Sequence, residues 1–290
     1  MLTRRTFLSM TAASLAAQTL LAQQLPAASQ ANVQFSEMMW TLKKQGAFEE
    51  NLERVAQAGY SHVELTGEFR QWSDDDWRRI LARMRALNIS VDTTSGATGS
   101  FADPAGGEAF LAGLKSFIPM AKRLDCKRII MLSGKRIDGA APGSQHAASI
   151  EALKRAADVL SAADIVAVIE PIDRIENPPI YLDGVTEAFE IADAVGSPNV
   201  KVLYDVYHEQ REFGNLIEKF EKNIAQVGLI HIADVPGRHE PGTGEINYPN
   251  IYRKLAQLKY KGVIAMEFYP TGDIVGTLRH AREEAQSLLS

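Results

Sequence analysis

The chain has 290 residues, 46% of them hydrophobic and 23% charged, an ordinary globular composition whose length suits one large domain or two average ones. Its formal net charge is -5 and it carries no long basic run, which argues against nucleic acid as a partner. The single cysteine, Cys126, excludes an intramolecular disulfide and a thiolate metal cluster.

The first segment reads as an address label. MLTRRTFLSMTAASLAAQTLLAQQLPAASQ (1–30) has a basic head and an apolar stretch from Phe7 to about Ala22. That stretch is shorter than the roughly 20 apolar residues of a spanning helix, so no stable membrane anchor is expected. The pair Arg4-Arg5 followed by Phe7-Leu8 is similar to the twin-arginine export signal. Residues 1–31 are therefore expected to be a signal peptide that directs folded cargo to the periplasm. No acylatable cysteine follows, so a lipoprotein anchor is not expected.

From Val33 onward, short β-rich runs alternate with stretches of helical periodicity. Strands are predicted at 33–40, 62–67, 89–96, 128–134, 165–172, 200–208, 229–234 and 263–270. Helices are delineated at 49–59, 73–88, 108–125, 145–164, 215–228 and 249–262. Gly59 and Gly228 read as helix stops. Ser73 with Asp74, Asp75 and Asp76 reads as a helix start rather than a metal site. Pro119 predicts a kink, and Pro249 suits a first turn. Eight β/α units in about 260 residues have the count and size of a (β/α)8 TIM barrel, a single domain over 32–290. No Gly-x-Gly-x-x-Gly fingerprint supports a doubly wound sheet.

Barrel enzymes place their chemistry at the C-terminal ends of the strands. The last four predicted strands carry, in order, Glu170, Asp205, His231 and Glu267, spaced 26 to 36 residues apart, about one β/α unit each. Each lies in apolar sequence, where an unpaired charge is costly. Singly, such a carboxylate can cap a helix and such a histidine can be a satisfied core residue. Together, at matched positions, they point to one divalent metal ion. Oxygen-rich ligation with one imidazole suits Mn²⁺, Mg²⁺ or Co²⁺.

On these residues the chain resembles the xylose-isomerase-like barrel superfamily of sugar isomerases and epimerases, and within it the hydroxypyruvate isomerases. The loop VPGRHEPGTGEINYPN (235–250), YDVYH (204–208), NLI (215–217) and Glu267 carry the likeness. It covers essentially the whole barrel, is strongest from Glu170 to Pro270, and is weak before Lys127. The resemblance implies a metal held by Glu170, Asp205, His231 and Glu267, with Glu170 and Glu267 also moving the proton. There are departures. Some hydroxypyruvate isomerases carry Gln at the place of His231, where His resembles the ketose 3-epimerases. EPIDRIE (170–176) is similar to the epimerase pattern Glu-x-x-Asn-Arg-Phe-Glu, which puts Glu176 at a substrate-binding glutamate.

The expected reaction is isomerisation of hydroxypyruvate to tartronate semialdehyde through an enediolate, with a metal and two carboxylates. On an extended strand end, His208 lies over the cavity and meets a substrate oxygen. Arg238 is the natural grip for a substrate carboxylate, or else a surface ion pair with Glu240 or Glu245. Glu64 is a candidate substrate contact, and Trp40 and Phe101 are pocket walls or plain packing. Gly242 and Gly244 are expected to use positive φ to fix the return of the 235–250 loop. The alternatives are a ketose 3-epimerase, a metal-dependent lyase or hydrolase of keto-sugars or glycosides, and a non-catalytic sugar-binding protein. A two-metal phosphodiesterase would need more ligands on the early strands than Glu64 and Asp92. The expected partner is a small keto-acid or sugar, with homo-oligomer formation left open.

Overall fold

The computed structural model describes residues 33–290. The expected signal peptide at 1–31 lies outside the described residues. Eight strands, all parallel to their neighbours, close in sequence order into a barrel: β1 (Gln34–Met38), β2 (His62–Leu65), β3 (Ser90–Ser95), β4 (Arg128–Leu132), β5 (Val166–Glu170), β6 (Val200–Asp205), β7 (Val227–Ile232) and β8 (Val263–Met266). Among the described residues the α-helices are α1 (Phe48–Gln57), α2 (Asp74–Ala86), α3 (Gly107–Arg123), α4 (Ser144–Ala163), α5 (Val185–Val195), α6 (Val206–Glu212), α7 (Leu216–Asn223), α8 (Tyr248–Gln257) and α9 (Ile274–Leu289). None is long and apolar enough to cross a membrane.

Alternation along the strands sorts the side chains into two layers. Met38, Ile130, Val168, Leu203, Leu229, Val263 and Ala265 form one cluster inside the barrel. The intervening positions, such as Ile169, Val202, Ile230 and Ile264, belong to the larger core beneath the helices. A step of two residues past the interior cluster reaches Glu170, Asp205, His231 and Glu267. The same periodicity that builds the core therefore points all four inward at one barrel end. The register agrees, since Asp205 pairs with His231 and His231 with Ala265.

The three-aspartate run is a helix start. Ser73 Oγ accepts from Asp76 N and the Asp76 carboxylate accepts from Ser73 N, a reciprocal cap at the head of α2. Helix α3 runs continuously through Pro119.

Three local expectations need correction. Strand β6 ends at Asp205 instead of running to His208. The Asp205 carboxylate accepts from Tyr207 N and His208 N, which turns the chain at once into α6. Gly228 does not stop a helix but lies inside β7, where a Cβ would stand 2.7 Å from Lys201 Cβ and 2.9 Å from Val168 Cγ1. It is kept small by the close approach of neighbouring strands. Helices α5 and α9 fall where no helix had been delineated.

Candidate metal and catalytic centre

The four inward groups meet. One donor atom from each of Glu170, Asp205, His231 and Glu267 lies within 4.8 Å of the others, and all four residues are buried. Donors bound to one ion at about 2.1 Å stand at most about 4.2 Å apart, so the set needs only slight contraction to hold one. The unsatisfied atoms are more telling. Asp205 Oδ2, His231 Nδ1 and Glu267 Oε2 are buried with no hydrogen-bond partner. His231 Nδ1 stands 2.6 Å from Glu267 Oε2, yet the two are not oriented for a hydrogen bond. Buried polar atoms without a hydrogen bond are costly, and here three of them converge, held only by ion-pair contacts with Arg238, His208 and one another. An oxygen-rich set with one imidazole fits a hard or borderline divalent cation.

Each donor is aimed by its other atom. Asp205 Oδ1 caps α6, which leaves Oδ2 for the centre. His231 Nε2 pairs with Glu64 Oε2 at 2.9 Å. That contact favours the tautomer with the proton on Nε2 and the Nδ1 lone pair free for a cation. Glu64, expected at the substrate, thus stands fully buried behind the imidazole. Trp40 Nε1 donates to Glu267 Oε1 at 2.9 Å, which places this aromatic at the site. Phe101 is fully buried against Phe110 and serves packing. Asp92, weighed as an early-strand ligand, accepts from Ser36 Oγ at 2.8 Å and joins neither of the two potential metal-holding groups found among the described residues.

The expected substrate-facing residues gather beside the centre. His208 sits in the first turn of α6, not on an extended strand end, and is buried. Its Nδ1 meets Asp173 Oδ2 at 2.6 Å and its Nε2 stands 3.4 Å from Asp205 Oδ2. Arg238 is only 4% exposed, so it is no surface ion pair with Glu240 or Glu245. It donates from Nη1 to Glu176 Oε1 at 2.8 Å, and its Nη2 lies 2.8 Å from Glu267 Oε2 and 3.5 Å from Asp205 Oδ2. Its guanidinium carbon lies 4.8 Å from the ring centre of Tyr207 and 5.4 Å from that of Trp40. Glu240 instead holds Thr271, and Glu245 accepts from Gln210.

Two buried aspartates do work that sequence reasoning did not assign. Asp173 accepts from Ile175 N, Glu176 N and Arg211 as well as from His208. It ties the loop carrying Glu176 to the helix carrying His208. Asp234 accepts from Val235 N, Gly242 N, Gly244 N and Ile246 N, which folds the 235–250 loop around one carboxylate. Gly242 has the expected positive φ, +89°. Gly244 does not. It is glycine because a Cβ would stand 2.0 Å from Val235 O. Arg238 itself lies in the left-handed region at φ 58°, and its carbonyl accepts from Tyr269 N. The signal for Asp173 was the charged residue inside EPIDRIE. For Asp234 it was an aspartate followed by closely spaced glycines.

The electrostatics separate the two glutamates. Burial, reinforced by the charge of Glu267, raises the Glu170 pKa to about 7. Glu267 is buried too, but the positive charges of Arg238 and His231 outweigh burial and hold it below the usual carboxylate range. Burial works against a charged His231, yet Glu267 and Glu64 on either side of the ring raise its pKa well above the ordinary value. A cation held by Nδ1 would require that proton to leave, so its binding would couple to proton release.

A model of the family described as xylose isomerase-like TIM barrel matches residues 52–289. The chain is 33% identical over 223 residues to a hydroxypyruvate isomerase of Escherichia coli K12, covering 75% of this chain and 86% of that one. It is 29% identical over 232 residues to a 2-oxo-tetronate isomerase of Cupriavidus necator, covering 77% and 88%. A Brucella melitensis structure described as AP endonuclease, family 2, superposes with a TM-score of 0.76 and 27% identity over 85% of this chain and 96% of that one. A D-psicose 3-epimerase from Clostridium cellulolyticum H10 shares the fold at a TM-score of 0.67 and 20% identity, covering 89% and 97%.

Glu64→Gln should weaken Mn²⁺ binding about 10- to 100-fold in calorimetric titration while the protein stays folded, because it replaces the carboxylate that aims and polarises the imidazole with a neutral amide. Unchanged affinity would remove Glu64 from that role.

Proposed function

Because the chain belongs to the xylose isomerase-like TIM barrel family, we propose that it is a divalent-metal-dependent isomerase of small keto-acids or sugars. Its reaction in this reading is hydroxypyruvate to tartronate semialdehyde. One observation carries the reading. Two buried glutamates with opposite pKa displacements flank a converging set of unsatisfied donors. The named activities of the E. coli and C. necator relatives support the same class of reaction.

The metal would be held by Glu170, Asp205, His231 Nδ1 and Glu267, and when bound it supplies charge stabilisation for adjacent substrate oxygens. The proton is moved by the chain's own carboxylates. A carboxylate takes it from the hydroxymethyl carbon, leaving an enediolate, and a carboxylate delivers one to the neighbouring carbon, while the hydroxyl proton of the first carbon passes to the former ketone oxygen, so that an aldehyde and a new hydroxyl result. Glu170, whose pKa burial and the charge of Glu267 raise in the ion-free site, and Glu267 are the two carboxylates assigned to these steps. His208 faces the substrate oxygens with Nε2 while Asp173 fixes its ring. Arg238 offers a planar grip for the substrate carboxylate.

A second reading has its own support. Arg238 Nη1 already holds Glu176 at 2.8 Å, which leaves less of its charge for an anionic substrate and favours a neutral ketose. The enzyme would then be a 3-epimerase using the same glutamates on opposite faces of one carbon. We also propose export to the periplasm by the twin-arginine route, from the Arg4-Arg5 signal.

In deuterated water with Mn²⁺, the enzyme should exchange deuterium into hydroxypyruvate. Glu170→Gln and Glu267→Gln should each lower that exchange at least about 100-fold; exchange surviving either change rules out the two-carboxylate mechanism. Arg238→Gln separates the substrates. It should cost about 100-fold in kcat/KM for a keto-acid and under about tenfold for a neutral ketose; the reverse order favours the epimerase. Replacing Arg4 and Arg5 with lysines should leave the precursor in the cytoplasm on cell fractionation, and unchanged periplasmic recovery contradicts the route.

A further inference from the structure

The proposed reaction leaves one buried acid unused. Glu37 lies in β1 next to Met38. Met38 belongs to the cluster inside the barrel, so strand alternation sends Glu37 the other way, into the layer beneath the helices. It is fully buried there, and its Oε2 has no hydrogen-bond partner.

Its other oxygen decides the protonation state. Thr41 Oγ1 stands 2.8 Å from Met38 O and 3.2 Å from Glu37 Oε1. A hydroxyl carries one proton, and a carbonyl can only accept. The shorter contact takes the Thr41 proton. The longer contact is then a hydrogen bond only if Glu37 Oε1 carries a proton and donates it. An ionised Glu37 would instead bury a charge with one oxygen wholly unpaired, which is costly. Burial acts in the same direction. Against the Thr41 contact, and reinforced by the charges of Glu64 and Glu267, it raises the Glu37 pKa well above the ordinary value.

The relay from Glu37 through Thr41 to Met38 O spans the tight turn Met39–Leu42, and Trp40 lies within that turn. Trp40 reaches through to the metal centre. Its Nε1 donates to Glu267 Oε1 at 2.9 Å, and its ring centre lies 5.4 Å from the guanidinium carbon of Arg238. An acid on the outer face of the barrel wall is thus connected to a carboxylate at its inner end.

We propose that Glu37 is a neutral carboxylic acid that locks this turn and, through Trp40, sets the direction of the Glu267 carboxylate. It is a positioning residue and touches neither substrate nor ion. The inference rests on the isomerase reading for what Glu267 does once it is aimed.

The test uses the Mg²⁺-loaded protein. Glu37→Gln keeps a neutral donor of the same shape, and Glu37→Leu removes it. Thr41→Val removes the relaying hydroxyl at nearly constant shape, so it decides the matter if Glu37→Leu unfolds. The Trp40 indole N–H signal is followed by NMR on isotope-labelled protein and identified by its loss in Trp40→Phe. Steady-state deuterium exchange into hydroxypyruvate gives kcat and KM. Glu37→Leu and Thr41→Val should each move the indole signal and lower kcat about tenfold or more, with KM within about threefold of wild type. Glu37→Gln should leave the signal in place and keep kcat within about threefold. In a Trp40→Phe background, Glu37→Leu should cost less than about twofold more, because the link is already cut. The infrared difference between wild type and Glu37→Gln at neutral pH should contain the carbonyl band of a protonated carboxyl. A carboxylate band in its place, an unmoved indole signal in Glu37→Leu and Thr41→Val, or a full additional loss in the Trp40→Phe background overturns the proposal. The isomerase reading fails separately. An indole signal that moves as described, in a protein that exchanges no deuterium, sinks the isomerase and leaves Glu37 holding Trp40. Wild-type exchange that Glu37→Leu and Thr41→Val leave untouched does the opposite.

Discussion

The structure depends on one constraint: three carboxylates and an imidazole are buried together at the ends of four adjacent strands. Asp205 Oδ2, His231 Nδ1 and Glu267 Oε2 make no hydrogen bond and meet only ion-pair contacts. Buried charge of one sign is costly unless it is paired. Without an ion the pairing falls to Arg238, which touches Glu267 and Asp205, and to a proton shared around His231. Were an ion held there, Arg238 would remain as a second partner of Glu267 and Asp205. The barrel makes this concentration unavoidable, because the alternation that fills its interior with Val168, Leu203, Leu229 and Ala265 sends the next inward residue of each strand to the same place.

Around this centre the protein fixes angles more than it adds contacts. Glu64 aims His231, the turn into α6 aims Asp205, and Trp40 aims Glu267. The Asp173 carboxylate gathers two backbone N–H groups and that of Asp234 four, so the loops that present Glu176 and Arg238 are held by buried carboxylates. The proton transfer proposed for this site would need such fixing, since a small misplacement of the base lowers a rate steeply.

Much of this was legible in the sequence because strand periodicity is simple. The eight strands, six of the helices and the four strand-end donors follow from counting apolar runs and reading the polar residue near the end of each strand. The rest required three dimensions. That Asp205 both caps a helix and faces the centre is hidden, because both functions use the same residue type and only the separate oxygens distinguish them. Gly228 reads as a helix stop in one dimension and as a close contact of strands in three. Glu64 lies 167 positions from His231, and no local pattern announces their contact. Arg238 looked like a loop residue with acidic neighbours, and its real partners, Glu176 and Glu267, come from other β/α units.

The most direct test of the account is a crystal structure of the Mn²⁺-soaked protein with anomalous scattering used to place the ion. The account requires one ion bound by Glu170, Asp205, His231 through Nδ1, and Glu267, with Glu64 still on Nε2. An ion held instead by Asp173, Glu176 and His208, the other group of potential ligands among the described residues, or no ordered ion at all, would contradict it.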